Sequence, residues 1–314
     1  MTSRKVQILK GGMLTTVQDC GRKGFQSSGM PVAGAMDILS LQLANIALGN
    51  APDAACLEAT LDGPEIVFDD PVHLCICGAN MQARLNERPV ENGRVVFANK
   101  NDVLKMGFAT TGCRAYIAFS GGIDVPVVMG SRSTFLAGKT GGYHGRALKT
   151  GDKLTLVKTN KQPGVSALPN DLLDFIFSDK PIRILPGPEI KHFGIDGLLS
   201  LLESTFTVSP DSNRMGYRLD GAKVRAESGG AGIISSPVPL GCIQIPPNGQ
   251  PMILMADRQT TGGYPRMAIV ATIDHPRLAQ LKPGDRLSFE EIRLDEAQNL
   301  LTEREKTIAL LQNE

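Results

Sequence analysis

Residues 242–266 read CIQIPPNGQPMILMADRQTTGGYPR and gather an unusual density of hydrogen-bonding side chains: Gln244, Asn248, Gln250, Asp257, Arg258, Gln259, Thr260, Thr261 and Tyr264. Amides and hydroxyls of this kind orient a small polar ligand by direct hydrogen bonds. Asp257 and Arg258 add an adjacent acid and base, and Gly262-Gly263 lets backbone N–H groups approach a carboxylate or phosphate closely. The stretch is apolar only over residues 252–256, far more turn chemistry than a simple hairpin needs. The competing reading is a structured hairpin corner whose polar groups cap backbone. A second cluster, SNRMGYR at 212–218, sets Arg214 and Arg218 around Met215, Gly216 and Tyr217. Two arginines there suit a bidentate clamp on a carboxylate or phosphate, or else a solvated strand. At Gly34-Ala35-Met36-Asp37 the acid is better placed to cap a following helix than to leave its N-terminus open to an anion.

Familiar catalytic devices are missing. Gly138-Lys139-Thr140 resembles the end of a phosphate loop, but Ser133 stands where the first glycine belongs. GKTGGYHG (138–145) therefore reads as a mobile loop or partner contact. Gly230-Ala231-Gly232 runs on to Ser235 without the third glycine of a dinucleotide fingerprint, and no G-x-S-x-G elbow occurs. His73, His144, His192 and His275 have no ligand spacing, so no metal site is expected. Val103-Leu104-Lys105-Met106 is a faint echo of the biotin-carrier tetrapeptide, better read as a strand with an exposed lysine. Catalysis, if any, must come from polar groups on the scaffold, beside a partner.

Short strands dominate what must position these residues: EIVF (65–68), HLCIC (73–77), RVVFA (94–98), AYIAF (115–119), KLTLV (153–157), PMILM (251–255), MAIVATI (267–273) and RLSFEEI (286–292). Without alternating helices they argue for a mainly β protein of barrels or sandwiches. Helices are expected after the Asp37 cap up to Gly49-Asn50, over 196–203, as one turn near 172–177, and over 295–312.

The chain also echoes itself. Thr110-Thr111-Gly112, Arg114 and a run closing at Asp124 match Thr260-Thr261-Gly262, Arg266 and a run closing at Asp274. VQILKGG matches IRILPGP at 182–188, Thr16-Val17 matches Thr207-Val208, and Gly151-Asp152 matches Gly284-Asp285. Four echoes in one order predict two copies of a domain, at 1–160 and 180–292, with a C-terminal helix at 293–314 and a polar linker between the copies.

The 314 residues are 42% hydrophobic and 21% charged, with a net charge of +1, so no footprint for nucleic acid is expected. No membrane span or signal peptide is expected, which predicts a cytoplasmic location. Cys75 and Cys77 share one strand face, and the six cysteines read as buried free thiols.

LTTVQDCGRKGFQ (14–26), GAMD (34–37), LANIALGN (43–50), SGGIDVPVVMGSRST (120–134), SNRMGYRLDG (212–221) and QIPPNGQPMILMADRQTTGGYPR (244–266) make the chain similar to the KipA family. This family is also called allophanate hydrolase subunit 2 or biotin-dependent carboxyltransferase, and the likeness is strongest to its members that are the C subunits of 5-oxoprolinase. The resemblance implies two tandem cyclophilin-like β-barrels and a hetero-oligomer with a KipI-like B subunit and a LamB/YcsF-like A subunit. It implies opening of 5-oxo-L-proline to L-glutamate with ATP. Asp257, Arg258 and Arg214 are then the expected catalytic groups. Gln244, Asn248, Gln250, Thr260, Thr261, Gly262, Gly263, Tyr264, Met215 and Tyr217 are the expected substrate contacts. Two alternatives remain: a biotin-dependent carboxyltransferase component of the urea type, and a non-enzymatic antagonist that binds a KipI-type kinase inhibitor.

Overall fold

The computed structural model describes residues 4–226 and 232–312; Gly230 and Ala231 of the rejected fingerprint lie outside them. The chain is mainly β, with few helices. It divides into two compact units, one of residues 4–23, 33–177 and 306–312, the other of 24–32 and 178–305. The changeover after Phe177 is accompanied by two exchanges: residues 24–32 group with the second unit, and the last turns of the C-terminal helix Leu294–Leu311 with the first.

The first unit is built on two antiparallel sheets. One has the order Leu14–Gln18, Cys56–Thr60, Thr111–Phe119, Val72–Asn80, Val95–Ala98. The other has the order Lys153–Leu156, Arg4–Lys10, Glu65–Phe68, Val103–Lys105, Arg84–Leu85, Arg88–Pro89. The period of two along each strand decides which side chains meet. Leu74, Ile76, Ile117 and Phe119 join Val6, Ile8, Ile66 and Phe68 in one core. Cys75, Cys77, Tyr116 and Ala118 point to the opposite face, where helix Ile38–Ala47 covers them with Leu41, Leu43 and Ala44. Asp37 caps that helix, accepting from the Ser40 N–H at 2.9 Å. All six cysteines are free thiols and only Cys20 is partly exposed; burial pushes its pKa up to about 11.

The second unit closes on itself. Its eight-stranded sheet runs Arg286–Leu287, Phe206–Val208, Gly216–Asp220, Met252–Leu254, Cys242–Gln244, Arg266–Val270, Ile182–Pro186, Phe289–Glu291. The two edge strands are consecutive in the chain, separated by Ser288 alone. A single segment thus changes partner at Ser288, pairing with Phe206–Val208 before it and lying parallel to Ile182–Pro186 after it. Among the described residues, the eight-stranded sheet is thereby left without an open edge. One reading of the sequence is corrected here: the strand expected over 267–273 stops at Val270. A 3-10 turn at Thr272–Asp274 leads into helix His275–Ala279, whose Pro276 suits a first helical turn.

Asp274 is fully buried at this junction. Its carboxylate accepts from the Arg183 backbone N–H (2.8 Å), Nε (2.9 Å) and NH2 (2.6 Å), and pairs with Arg277 at 3.1 Å. Burial alone would raise its pKa, but the Arg183 hydrogen bonds and the Arg277 charge hold it below the ordinary value. Arg277 also donates to the carbonyls of Ser178, Lys180 and Pro181. Because the folded-state pKa lies below the unfolded one, this stabilisation is complete above about pH 4 and is lost as pH falls through the folded value. We expect Asp274→Asn to cost about 3–5 kcal/mol in urea unfolding at pH 7, since it leaves the buried Arg277 guanidinium without its carboxylate and removes the charge that Arg183 grips. It should also flatten the acid limb of the stability curve; an unchanged limb would refute the assignment.

Candidate functional site

Strand Gly216–Asp220 pairs with Met252–Leu254, and the pairing continues beyond the strand ends. The Met255 N–H donates to the Met215 carbonyl (2.9 Å) and the Asp257 N–H to the Arg214 carbonyl (2.8 Å). That continuation lays the Arg214 guanidinium flat against Asp257, with Nε to Oδ2 and NH2 to Oδ1 both 3.0 Å. Each side chain is only 6% exposed. Both carboxylate oxygens of Asp257 are engaged by this fork, so the pair is a buried brace and Asp257 is poorly placed to act as a base. Asp257 and Arg214, expected from the sequence as catalytic groups, are thus brought together as a pair.

Arg258, the next residue, is 8% exposed and differently served. Its Nε donates to the Val238 carbonyl (3.0 Å) and its NH1 to the Met255 carbonyl (3.2 Å). Among the described residues no carboxylate faces it and its second terminal nitrogen takes no partner. Burial lowers its pKa, with only the Cys242 thiol pulling the other way. Cys242 is itself pushed up to about 12, chiefly by burial. A buried cation without a counter-ion is a place prepared for an anion.

A two-stranded ribbon lies beside Arg258. Ser236–Pro237 pairs with Thr261–Gly262, the Val238 N–H donates to Thr260 (3.1 Å), and the Ile233 N–H donates to Gly263 (2.8 Å). Thr261 and Tyr264 are exposed on it, Tyr264 by 41%. Gln244 lies fully buried beneath, its Nε2 donating to the Tyr264 carbonyl (3.0 Å). The other amide atom of Gln244, Oε1, is buried and takes no partner among the described residues. A Cβ on Gly262 would stand 2.7 Å from Gln244 Nε2, so this glycine makes room for the amide. Neither Gly262 nor Gly263 adopts a positive φ. Arg266 braces the ribbon from the adjoining strand, through NH1 to the Pro237 carbonyl (2.9 Å) and a two-armed pair with Glu189 at 2.8 and 2.6 Å. The Glu189 pKa is held down by Arg266. Glu189 is invisible to sequence reasoning because nothing local links positions 77 residues apart.

The expected site residues therefore divide. Arg214, Met215, Gln244, Asp257, Arg258, Thr260, Thr261, Gly262, Gly263 and Tyr264 surround one place, with Met215 46% exposed. Asn248 and Gln250 sit at the opposite end of strand Met252–Leu254, in a turn. There Asn248 bonds the Gln250 backbone and side chain (3.1 Å each), and Gln250 reaches Asp220 (3.4 Å). Tyr217 is buried, and its hydroxyl donates to the Leu281 carbonyl (3.2 Å). It anchors the strand from inside.

The carboxyltransferase domain family, subdomain A and B, matches residues 28–291. The chain belongs to this family. It is 38% identical to the C subunit of 5-oxoprolinase from Escherichia coli (strain K12), over 93% of each chain. It is 35% identical to the urea amidolyase of Lachancea kluyveri, over 98% of this chain and 18% of that protein. Among solved structures, the Kluyveromyces lactis urea carboxylase superposes with a TM-score of 0.91 at 32% identity, over 99% of this chain and 29% of the other. The chain thus spans less than a third of these two larger proteins. Among the described residues no helix is long and apolar enough to cross a membrane.

The brace can be tested directly. Truncating Arg214 or Asp257 alone strands the other's buried charge and should cost about 3–5 kcal/mol. Arg214→Met with Asp257→Leu should cost much less than the sum of the single changes in a denaturation cycle. Additive costs would mean that the two groups do not act as a pair.

Proposed function

We propose that this chain is the C subunit of an ATP-dependent 5-oxoprolinase. It would work with a KipI-like B subunit and a LamB/YcsF-like A subunit to open 5-oxo-L-proline to L-glutamate. The observation that carries this reading is the 38% identity to the C subunit of a 5-oxoprolinase over 93% of both chains. The chemistry suits the residues. A lactam carbonyl is an unreactive amide, and ATP supplies the phosphoryl group that activates it. What the protein must add is a fixed positive charge for the oxyanions that form, in a site shielded from bulk water. Arg258, buried and held by the carbonyls of Val238 and Met255, is such a charge. The Arg214–Asp257 brace fixes the turn from which Arg258 projects. The Gln244 amide beneath Gly262 and the exposed Thr261 and Tyr264 are suited to orient the substrate's polar atoms. Alone the chain would be inactive, because the partners complete the enzyme.

A second reading is favoured by the urea amidolyase match over 98% of this chain: a carboxyltransferase component that takes its carboxyl group from biotin on another protein. One experiment separates the two. The chain is purified with its two partner subunits and assayed for ATP hydrolysis dependent on 5-oxoproline. We expect turnover that is insensitive to avidin. Absence of turnover with all three subunits present overturns the proposal, and avidin-sensitive carboxylation of urea favours the second reading. In the active complex, Arg258→Lys should lower kcat/KM by about tenfold or more, because an ammonium cannot keep both carbonyl bonds and still present its charge.

A further inference from the structure

The first unit holds a cavity of about 370 Å³ that the oxoprolinase reading leaves unused. One wall is the glycine loop that includes Lys139, Tyr143 and His144; the other is the exposed face of strand Lys153–Leu156, with Lys153 and Thr155, and neighbouring Asp124. The Asp124 N–H donates to the Thr155 carbonyl at 2.9 Å, which fixes that corner.

The loop is tightly determined. Its base is tied to the Asp19 carboxylate, which accepts from the Ser131 hydroxyl (2.7 Å), the Arg132 N–H (2.5 Å) and the Ser133 hydroxyl. Phe135 and Thr140 exchange backbone hydrogen bonds at 2.8 and 3.1 Å, and the Gly145 N–H closes onto Gly141 at 2.8 Å. A Cβ on Gly141, Gly142 or Gly145 would collide with Ser133, Thr134 or Lys139. Within this loop Lys139 (φ 47°) and His144 (φ 56°) are forced into the left-handed region, which costs a side-chain-bearing residue on the order of 1 kcal/mol or more. The segment expected from the sequence as a mobile loop or partner contact is here held in a defined shape by these bonds and close contacts.

Lys139, Tyr143, His144 and Lys153 all line this cavity. Among the described residues, the backbone N–H groups of Tyr143 and His144 reach no acceptor, and neither Lys139 nor Lys153 has a carboxylate partner. Two ammoniums and the His144 ring face a single acid, Asp124. Adjacent backbone donors at Tyr143 and the left-handed His144, with lysines beside them, are the kind of arrangement that receives an oxyanion. We propose that this cavity binds a small oxyanion, through Lys139, Lys153 and the N–H groups of Tyr143 and His144. A phosphate group and the carboxylate of a small acid share the required chemistry. This cavity is lined by first-unit residues alone, and its occupancy does not depend on the oxoprolinase reading.

Isothermal titration of the full chain with inorganic phosphate, ADP, 5-oxoproline and L-glutamate separates the two sources. We expect either the phosphate-bearing or the carboxylate ligands to bind, with Lys139→Ala and Lys153→Ala each weakening binding about tenfold or more. Both lysines are exposed, so the variants should keep their Tm. Amide resonances of Tyr143 and His144 should shift on titration. No binding by any of the four compounds, or wild-type affinity in both variants, overturns the proposal. So does binding that vanishes with Arg258→Ala while surviving both lysine changes, since it assigns the anion to the other unit.

Discussion

The second unit hangs on one buried carboxylate. Strand Ile182–Pro186 is the element that closes the eight-stranded sheet, lying between Arg266–Val270 and the returning Phe289–Glu291. Asp274 grips this strand through both the backbone and the side chain of Arg183. A fully desolvated carboxylate is tolerable only with its cations in place, so the closed geometry and the ion pair require each other. The alternative, an open sheet, would expose two ladder edges and leave Asp274 uncompensated.

On that closed scaffold the candidate site uses arginine in two opposite ways. Arg214 and Arg266 each lie flat against a carboxylate, Asp257 and Glu189, and so serve as rigid struts. Arg258 is turned toward carbonyls alone. Carbonyl dipoles hold a guanidinium in position without neutralising it, so its net charge stays available to whatever enters. The struts explain why this uncompensated cation is tolerable: they fix the turn around it, and little further ordering is needed when an anion binds.

The legible parts of the sequence are those governed by local rules. The Asp37 cap, the shared face of Cys75 and Cys77, the short helix Asn170–Phe175 and the strand Glu65–Phe68 all follow from spacing alone. The polar character of 242–266 identifies most of the candidate site for the same reason. What stays hidden depends on contacts between distant positions. Arg183 meets Asp274 across 91 residues and Arg266 meets Glu189 across 77, and a two-armed ion pair carries no sequence period. Tyr217 and Asp257 look like ligand contacts because their chemistry permits it, and each has a partner that only the fold reveals.

The internal echoes show where such reading must stop. Lys149-Thr150-Gly151-Asp152 and Lys282-Pro283-Gly284-Asp285 form the same turn. In each, the Asp N–H returns to the Lys carbonyl (3.1 and 3.0 Å), the Lys N–H meets the Asp carboxylate (2.9 and 3.0 Å), and the glycine has φ 90°. In the first unit the glycine N–H then seats on Ile8, in the second on Val208. The sequence echo matches Ile8 to the strand containing Ile184, so the turn recurs while its ladder partner does not follow that alignment. Asp124 and Asp274 diverge further: matched in sequence, one borders an open cavity and the other is sealed between two arginines. A repeated motif therefore transmits backbone geometry more faithfully than chemistry. Geometry is set within four or five residues, whereas the charge state and exposure of a side chain are set by everything that packs around it.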